Sequence, residues 1–166
     1  MKVWVTVPML ALILPTAAKA DWQYTKWGMT PEQVSAASGG AARPTPPAVM
    51  PMYQPIGGPS QAEIAASGPA LRAPFTSGSR KFDAEFTFKN GKLTEVTLSG
   101  VTGADCYALE GELEARYSVP FKKNAVGDIT EWHDQTNNNS VMFLITAAPR
   151  CFITYQPLAT ENSSRL

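Results

Sequence analysis

Lys81-Phe82-Asp83-Ala84-Glu85-Phe86-Thr87-Phe88-Lys89-Asn90-Gly91-Lys92-Leu93-Thr94-Glu95-Val96-Thr97-Leu98-Ser99 decides the fold. Phe82, Ala84, Phe86 and Phe88 alternate with polar residues, the period of a strand with one dry face and one wet one. Asn90-Gly91 marks the reversal. Register then chooses the turn. A two-residue Asn-Gly loop would set Phe86 against Glu95 and waste the buried face. A three-residue loop, Lys89-Asn90-Gly91 with Gly91 left-handed, instead pairs Phe88 with Lys92, Phe86 with Thr94, Ala84 with Val96 and Phe82 with Leu98. The sequence predicts that second register.

Towards the C-terminus, Cys106, Leu109, Leu113 and Tyr117 form one narrow stripe at helical spacing, with Glu112, Glu114 and Arg116 off it. A helix is predicted over about 104–117, with Asp105 or Thr102 placed to cap it and Val119-Pro120 ending it. Strands are expected near 128–133, 140–146 and 151–155, separated by Asn137-Asn138-Asn139 and by Ala148-Pro149-Arg150. The run from Val141 to Ile145 is apolar on both faces, so it is expected to be the most buried strand. Pro157 stops the last strand, and residues 158–166 read as a flexible tail. Cys106 and Cys151 are the only cysteines. If the helix packs on the face shared by Cys151, Ile153 and Tyr155, the two thiols meet, and a disulfide is predicted.

Towards the N-terminus, Thr30, Pro31 and Gln33 spell a capping box with proline at the first helical position, and Met29 and Val34 hold the staple positions. Gly39-Gly40 ends this short helix. Residues 41–69 carry seven prolines (44, 46, 47, 51, 55, 59 and 69) and read as a long proline-rich loop. At the start of the chain, Lys2, an apolar run over 3–14 and Ala18-Lys19-Ala20 have the anatomy of a secretory signal peptide, too short for a membrane span. The expectation is cleavage near Ala20, a periplasmic or secreted address, and no membrane span in the mature protein.

Taken together, helix, loop, strands, helix and strands make an α+β domain over 21–157. Its antiparallel sheet is expected to have about four to six strands, with two helices packed on one face. Loss of residues 1–20 removes Lys2 and Lys19, leaving 12 basic and 14 acidic side chains. A net charge of −2 with no basic stripe argues against a nucleic-acid partner.

The stretch Trp27-Gly28-Met29-Thr30-Pro31-Glu32-Gln33-Val34 resembles the opening of small exported bacterial domains of unassigned function. Phe86-Thr87-Phe88-Lys89-Asn90-Gly91-Lys92-Leu93 and Leu113-Glu114-Ala115-Arg116-Tyr117-Ser118-Val119-Pro120 are similar to the same group. The layout is reminiscent of β-lactamase-inhibitor-protein-like domains. The resemblance covers about residues 22–39 and 71–157. It implies a fold and a periplasmic address, and it implies no reaction. Ser118 departs from it, since such domains often place glycine there, and the proline-rich stretch is longer than usual.

Chemistry is sparse. His133 is the sole histidine, and on a strand it shares a face with Glu131 while Asp134 points the other way. Serines lack a G-x-S-x-G elbow, Glu110, Glu112 and Glu114 fit a solvated helix face, and Gly57-Gly58-Pro59 precedes no phosphate-binding helix. No metal or cofactor is expected. Aromatics are plentiful, and Trp22, Trp27, Tyr53 and Trp132 are the candidate binding residues wherever they are exposed. The reading is a non-catalytic binding module for an envelope protein, peptide or glycan. The alternatives are an envelope hydrolase using His133 and nearby carboxylates, or an accessory subunit of an envelope complex.

Overall fold

A computed structural model describes residues 21–45, 70–124, 129–147 and 149–158. The expected signal peptide at 1–20, Tyr53 with residues 46–69 of the proline-rich loop, and residues 159–166 of the tail lie outside the described residues. The elements run α1 (Pro31–Ala37), β1 (Arg43–Pro44), β2 (Leu71–Ser77), β3 (Arg80–Lys89), β4 (Lys92–Thr102), α2 (Ala104–Tyr117), β5 (Lys122–Lys123), β6 (Ile129–Asp134), β7 (Asn139–Ile145) and β8 (Arg150–Pro157). The fold is α+β. Every strand pairing is antiparallel, in the order β1-β2-β3-β4-β8-β7-β6-β5.

Eight strands replace the expected four to six. The additional ones are β1, β2 and β5. Two of them are two-residue edge pieces without any alternation to read. β2 alternates through Leu71, Ala73 and Phe75, but Pro74 interrupts the pattern. Proline is tolerated there because β1 pairs only with Leu71 and Arg72, so no strand among the described residues calls on an amide at Pro74 from that side. The proline-rich stretch is likewise corrected at its start: Arg43–Pro44 is strand, and the amide of Thr45 donates to the carbonyl of Ala70 at 3.0 Å. Leu158 is also tied down, its amide donating to the Asn138 carbonyl at 2.9 Å.

The decisive hairpin is corrected in register. Its turn has two residues, Asn90 and Gly91, both with positive φ, so Lys89 faces Lys92 and Phe88 faces Leu93. Thr94 then bulges, and the strands continue with Phe86 against Val96 and Ala84 against Leu98. The extra residue needed to keep the apolar sets together sits inside the strand rather than in the turn.

β8 lies between β4 and β7, and Cys151, Ile153, Thr154 and Tyr155 on it are buried. This corrects the expectation for residues 141–145. In β7 only Asn139, Val141 and Phe143 are buried, because no helix among the described residues covers the other face of that strand. On the covered face, Phe82, Ala84, Phe86, Val96, Leu98, Ile153, Val141, Phe143 and Trp132 join Val34 of α1 and Cys106, Leu109 and Leu113 of α2 in one core. The capping box of α1 forms as expected, with the Thr30 amide donating to Gln33 at 2.9 Å. That of α2 does not: Gly103 is the N-cap and contributes no side-chain bond, so neither Asp105 nor Thr102 serves. A Cys106–Cys151 disulfide with Cα atoms 5.6 Å apart joins α2 to β8. Closing its 45-residue separation stabilises the fold by about 4 kcal/mol in the chain-entropy account.

Candidate functional site

Among the described residues, one face of the sheet carries no helix, and strand alternation decides what lies on it. In β6, Thr130 and Trp132 turn into the core, so Ile129, Glu131 and His133 turn out. In β7, Ser140, Met142 and Leu144 take the same outer side, and in β8 Phe152, Thr154 and Gln156 do. Register aligns them: Ile129 faces Leu144, which faces Phe152, while Glu131 faces Met142 and His133 faces Ser140. The result is an apolar run of Ile129, Leu144, Phe152 and Met142 across three strands.

The segment that joins α2 to this edge adds to it. Phe121 donates its amide to the Glu131 carbonyl at 2.8 Å and stacks its ring on His133, the centroids 3.7 Å apart and the planes at 21°. Among the described residues, Phe121 (65% exposed) and Ile129 (38%) are two of five exposed large hydrophobics, and both lie along β6, Phe121 at His133 and Ile129 two register rows away; Val119, 86% exposed, precedes Phe121 by two residues. Exposed apolar area gathered along one edge is a usual mark of an interaction surface. The chain enters the edge through Ser118, whose φ of 64° and ψ of −130° are strained for any side chain.

His133 and Glu131 share this face, as the spacing predicts, and Asp134 turns away to accept from the Asn137 amide at 3.1 Å. The polar geometry is not that of a nucleophile and base. Ser140 donates to Glu131 Oε1 at 2.8 Å, and His133 Nε2 lies 3.5 Å from the same oxygen. The carboxylate therefore stands between hydroxyl and imidazole. In a hydrolytic triad the imidazole takes the hydroxyl proton and the carboxylate lies behind it. The helix carboxylates are paired: Glu112 with Arg80 at 2.6 Å, and Glu110 and Glu114 with Lys123 at 3.1 and 3.2 Å. Among the described residues, no group of three His, Cys, Asp or Glu side chains is placed to hold a metal ion.

The aromatic residues singled out from sequence go elsewhere. Trp22 is 5% exposed and Trp132 is fully buried, so both are core, and their rings are not available as exposed anchors. Trp22 packs on Phe75, Phe86 and Tyr155, and Trp132 on Tyr117. Trp27 is half-buried and donates its indole N–H to Asn139 Oδ1 at 3.0 Å. Trp22, Phe75, Tyr117 and Tyr155 line a second feature, a cleft of about 330 Å³ on the covered side, between residues 21–23, α2 and the β6–β7 turn. Asp21, Glu112, Arg116 and Asp134 are its charged lining, with Tyr117 and Tyr155 on its wall. Burial raises the pKa of both phenols, and for Tyr155 the neighbouring Tyr117 adds to the rise. Sequence reasoning missed Phe121, whose segment reads only as the stop of a helix; its one signal is a phenylalanine outside any apolar period.

No protein-family model, curated protein or solved structure matches the chain. No helix among the described residues is long and apolar enough to cross a membrane.

Proposed function

We propose that this protein is an exported, non-catalytic interaction module, cleaved near Ala20 and working in the periplasm, that engages an envelope protein or peptide through the open sheet face. The observation that supports it is the β6 edge, where exposed Ile129 lies in one row with Leu144 and Phe152, Met142 follows in the next row, and exposed Phe121 stacks on His133. Phe121 is the anchor, since aromatic side chains give large contact area at low conformational cost. His133 is its backing, a flat ring that holds Phe121 upright.

The test is recovery of the partner from periplasmic extract by wild-type protein and by folded variants. Phe121→Ala and Ile129→Ser are expected to lower affinity, Phe121→Ala by about 30-fold, the equivalent of about 2 kcal/mol. His133→Phe keeps a stacking ring and is expected to retain binding. A hydrolase working through His133 gives the opposite pattern, with His133→Phe inactive and Phe121→Ala active.

A further inference from the structure

Asp21 is held at every polar group it has. Its amide donates to the Thr25 carbonyl at 3.0 Å, its carbonyl accepts from Asn139 Nδ2 at 2.7 Å, and its Oδ2 accepts from the Trp27 amide at 2.8 Å. Trp22 and Thr25 bridge back to each other, and both are buried. The residue that would begin the mature chain is therefore a fixed part of the cleft wall. We propose that cleavage after Ala20 creates a built-in cation there: the α-ammonium of Asp21, seated on the Thr25 carbonyl, completes the cleft. The proposal rests on the leader-peptide reading. In the step itself, water adds across the Ala20–Asp21 peptide bond, Ala20 departs as a carboxylate, and the Asp21 nitrogen takes up protons.

The surroundings suit a cation. The Asp21 nitrogen already donates to the Thr25 carbonyl, and the cleft that Asp21 lines also carries Glu112, Arg116 and Tyr117 of α2, Asp134 of β6 and Tyr155 of β8, with Glu112 paired to Arg80 of β3. Before cleavage this nitrogen is a neutral amide with one N–H; afterwards it keeps the bond to Thr25 and has charge and protons to spare. An α-amino group ordinarily titrates near about 8. The hydrogen bond to the Thr25 carbonyl favours the charged form, so its folded value rises above the unfolded one. The resulting stability is fully present below about pH 8 and is lost as pH rises through the folded value.

Two measurements test this separately. Thermal melts compare a protein beginning at Asp21 with the same chain acetylated on its α-nitrogen, at pH 6 and at pH 10.5. The free amine is expected to melt about 2–4 °C higher at pH 6, with the gap closing at pH 10.5. Equal melting at pH 6, or a gap unchanged at pH 10.5, overturns the built-in cation. Intact mass of protein recovered from the periplasm tests the leader reading by itself: a mass beginning at Asp21 supports it, and a start at any other residue overturns maturation at this bond whatever the melts show.

Discussion

The two faces of the sheet are made by the same strands and do opposite things. On the covered face, Phe86, Val96, Val141 and Trp132 are inaccessible to solvent and locked beneath α1 and α2, with a disulfide pinning the longer helix. On the open face, the same strands present Thr97 beside Thr154 at 3.3 Å, Glu95 to Gln156 at 2.7 Å and Arg72 to Glu85 at 2.7 Å. The last two are exposed contacts, of a kind that contributes little to stability. The open face departs from this polar grid along β6, where Ile129, Leu144 and Phe152 form one row and Phe121 stacks on His133 towards the other end of the strand. Apolar area kept where folding gains little from it points to a use outside folding.

That contrast is broken or sharpened by measurement, starting with the largest expected effect. Phe86→Ala, at a fully buried site, is expected to destabilise by about 3–5 kcal/mol in denaturant melts, whereas Phe121→Ala should fall within about 0.5 kcal/mol of wild type. Comparable losses at both would erase the distinction. Next is alkali. Tyr155 keeps its proton more tightly folded than unfolded because burial disfavours the phenolate. The unfolded chain therefore loses that proton first, and stability declines above about pH 10, by about 1.4 kcal/mol per pH unit until the folded phenol ionises. Tyr155→Phe should flatten this limb. The smallest effect is expected at the entrance to the exposed edge. Ser118→Gly relieves a positive φ and should stabilise by about 0.5–1 kcal/mol. If it also weakens partner binding, the strain at Ser118 holds Val119 and Phe121 in place.

Much of the covered face was legible and most of the open edge was not, for a physical reason. Apolar periodicity reports which side chains leave water, so the stripe Cys106, Leu109, Leu113 and the alternation Phe82 to Phe88 led directly to α2, β3 and the disulfide partners. Thr94 shows where local rules stop. Both turn geometries suit Asn90-Gly91, and only the demand that Phe86 meet Val96 settles that a bulge follows a two-residue turn. β2 was hidden by Pro74, whose tolerance depends on how far β1 reaches. Exposure is less legible still. Trp22 and Trp132 have the size of interface anchors but are enclosed by residues distant in sequence, while Phe121 in the Val119-Pro120-Phe121 connection becomes prominent only because His133 supports it. The carboxylates of α2 read as a solvated face, and their pairing with Arg80 and Lys123 agrees.

The open edge can be interrogated directly with a photo-crosslinking phenylalanine analogue placed at position 121 and, as control, at position 107. Tyr107 is 63% exposed on α2, close to the 65% of Phe121, so the pair separates location from exposure. Irradiation of cells carrying each protein is expected to give one discrete protein adduct from position 121, none from position 107, and loss of the 121 adduct when Ile129→Asp is added. An adduct from position 107 with none from 121 would contradict the assignment of the partner surface to the open sheet face.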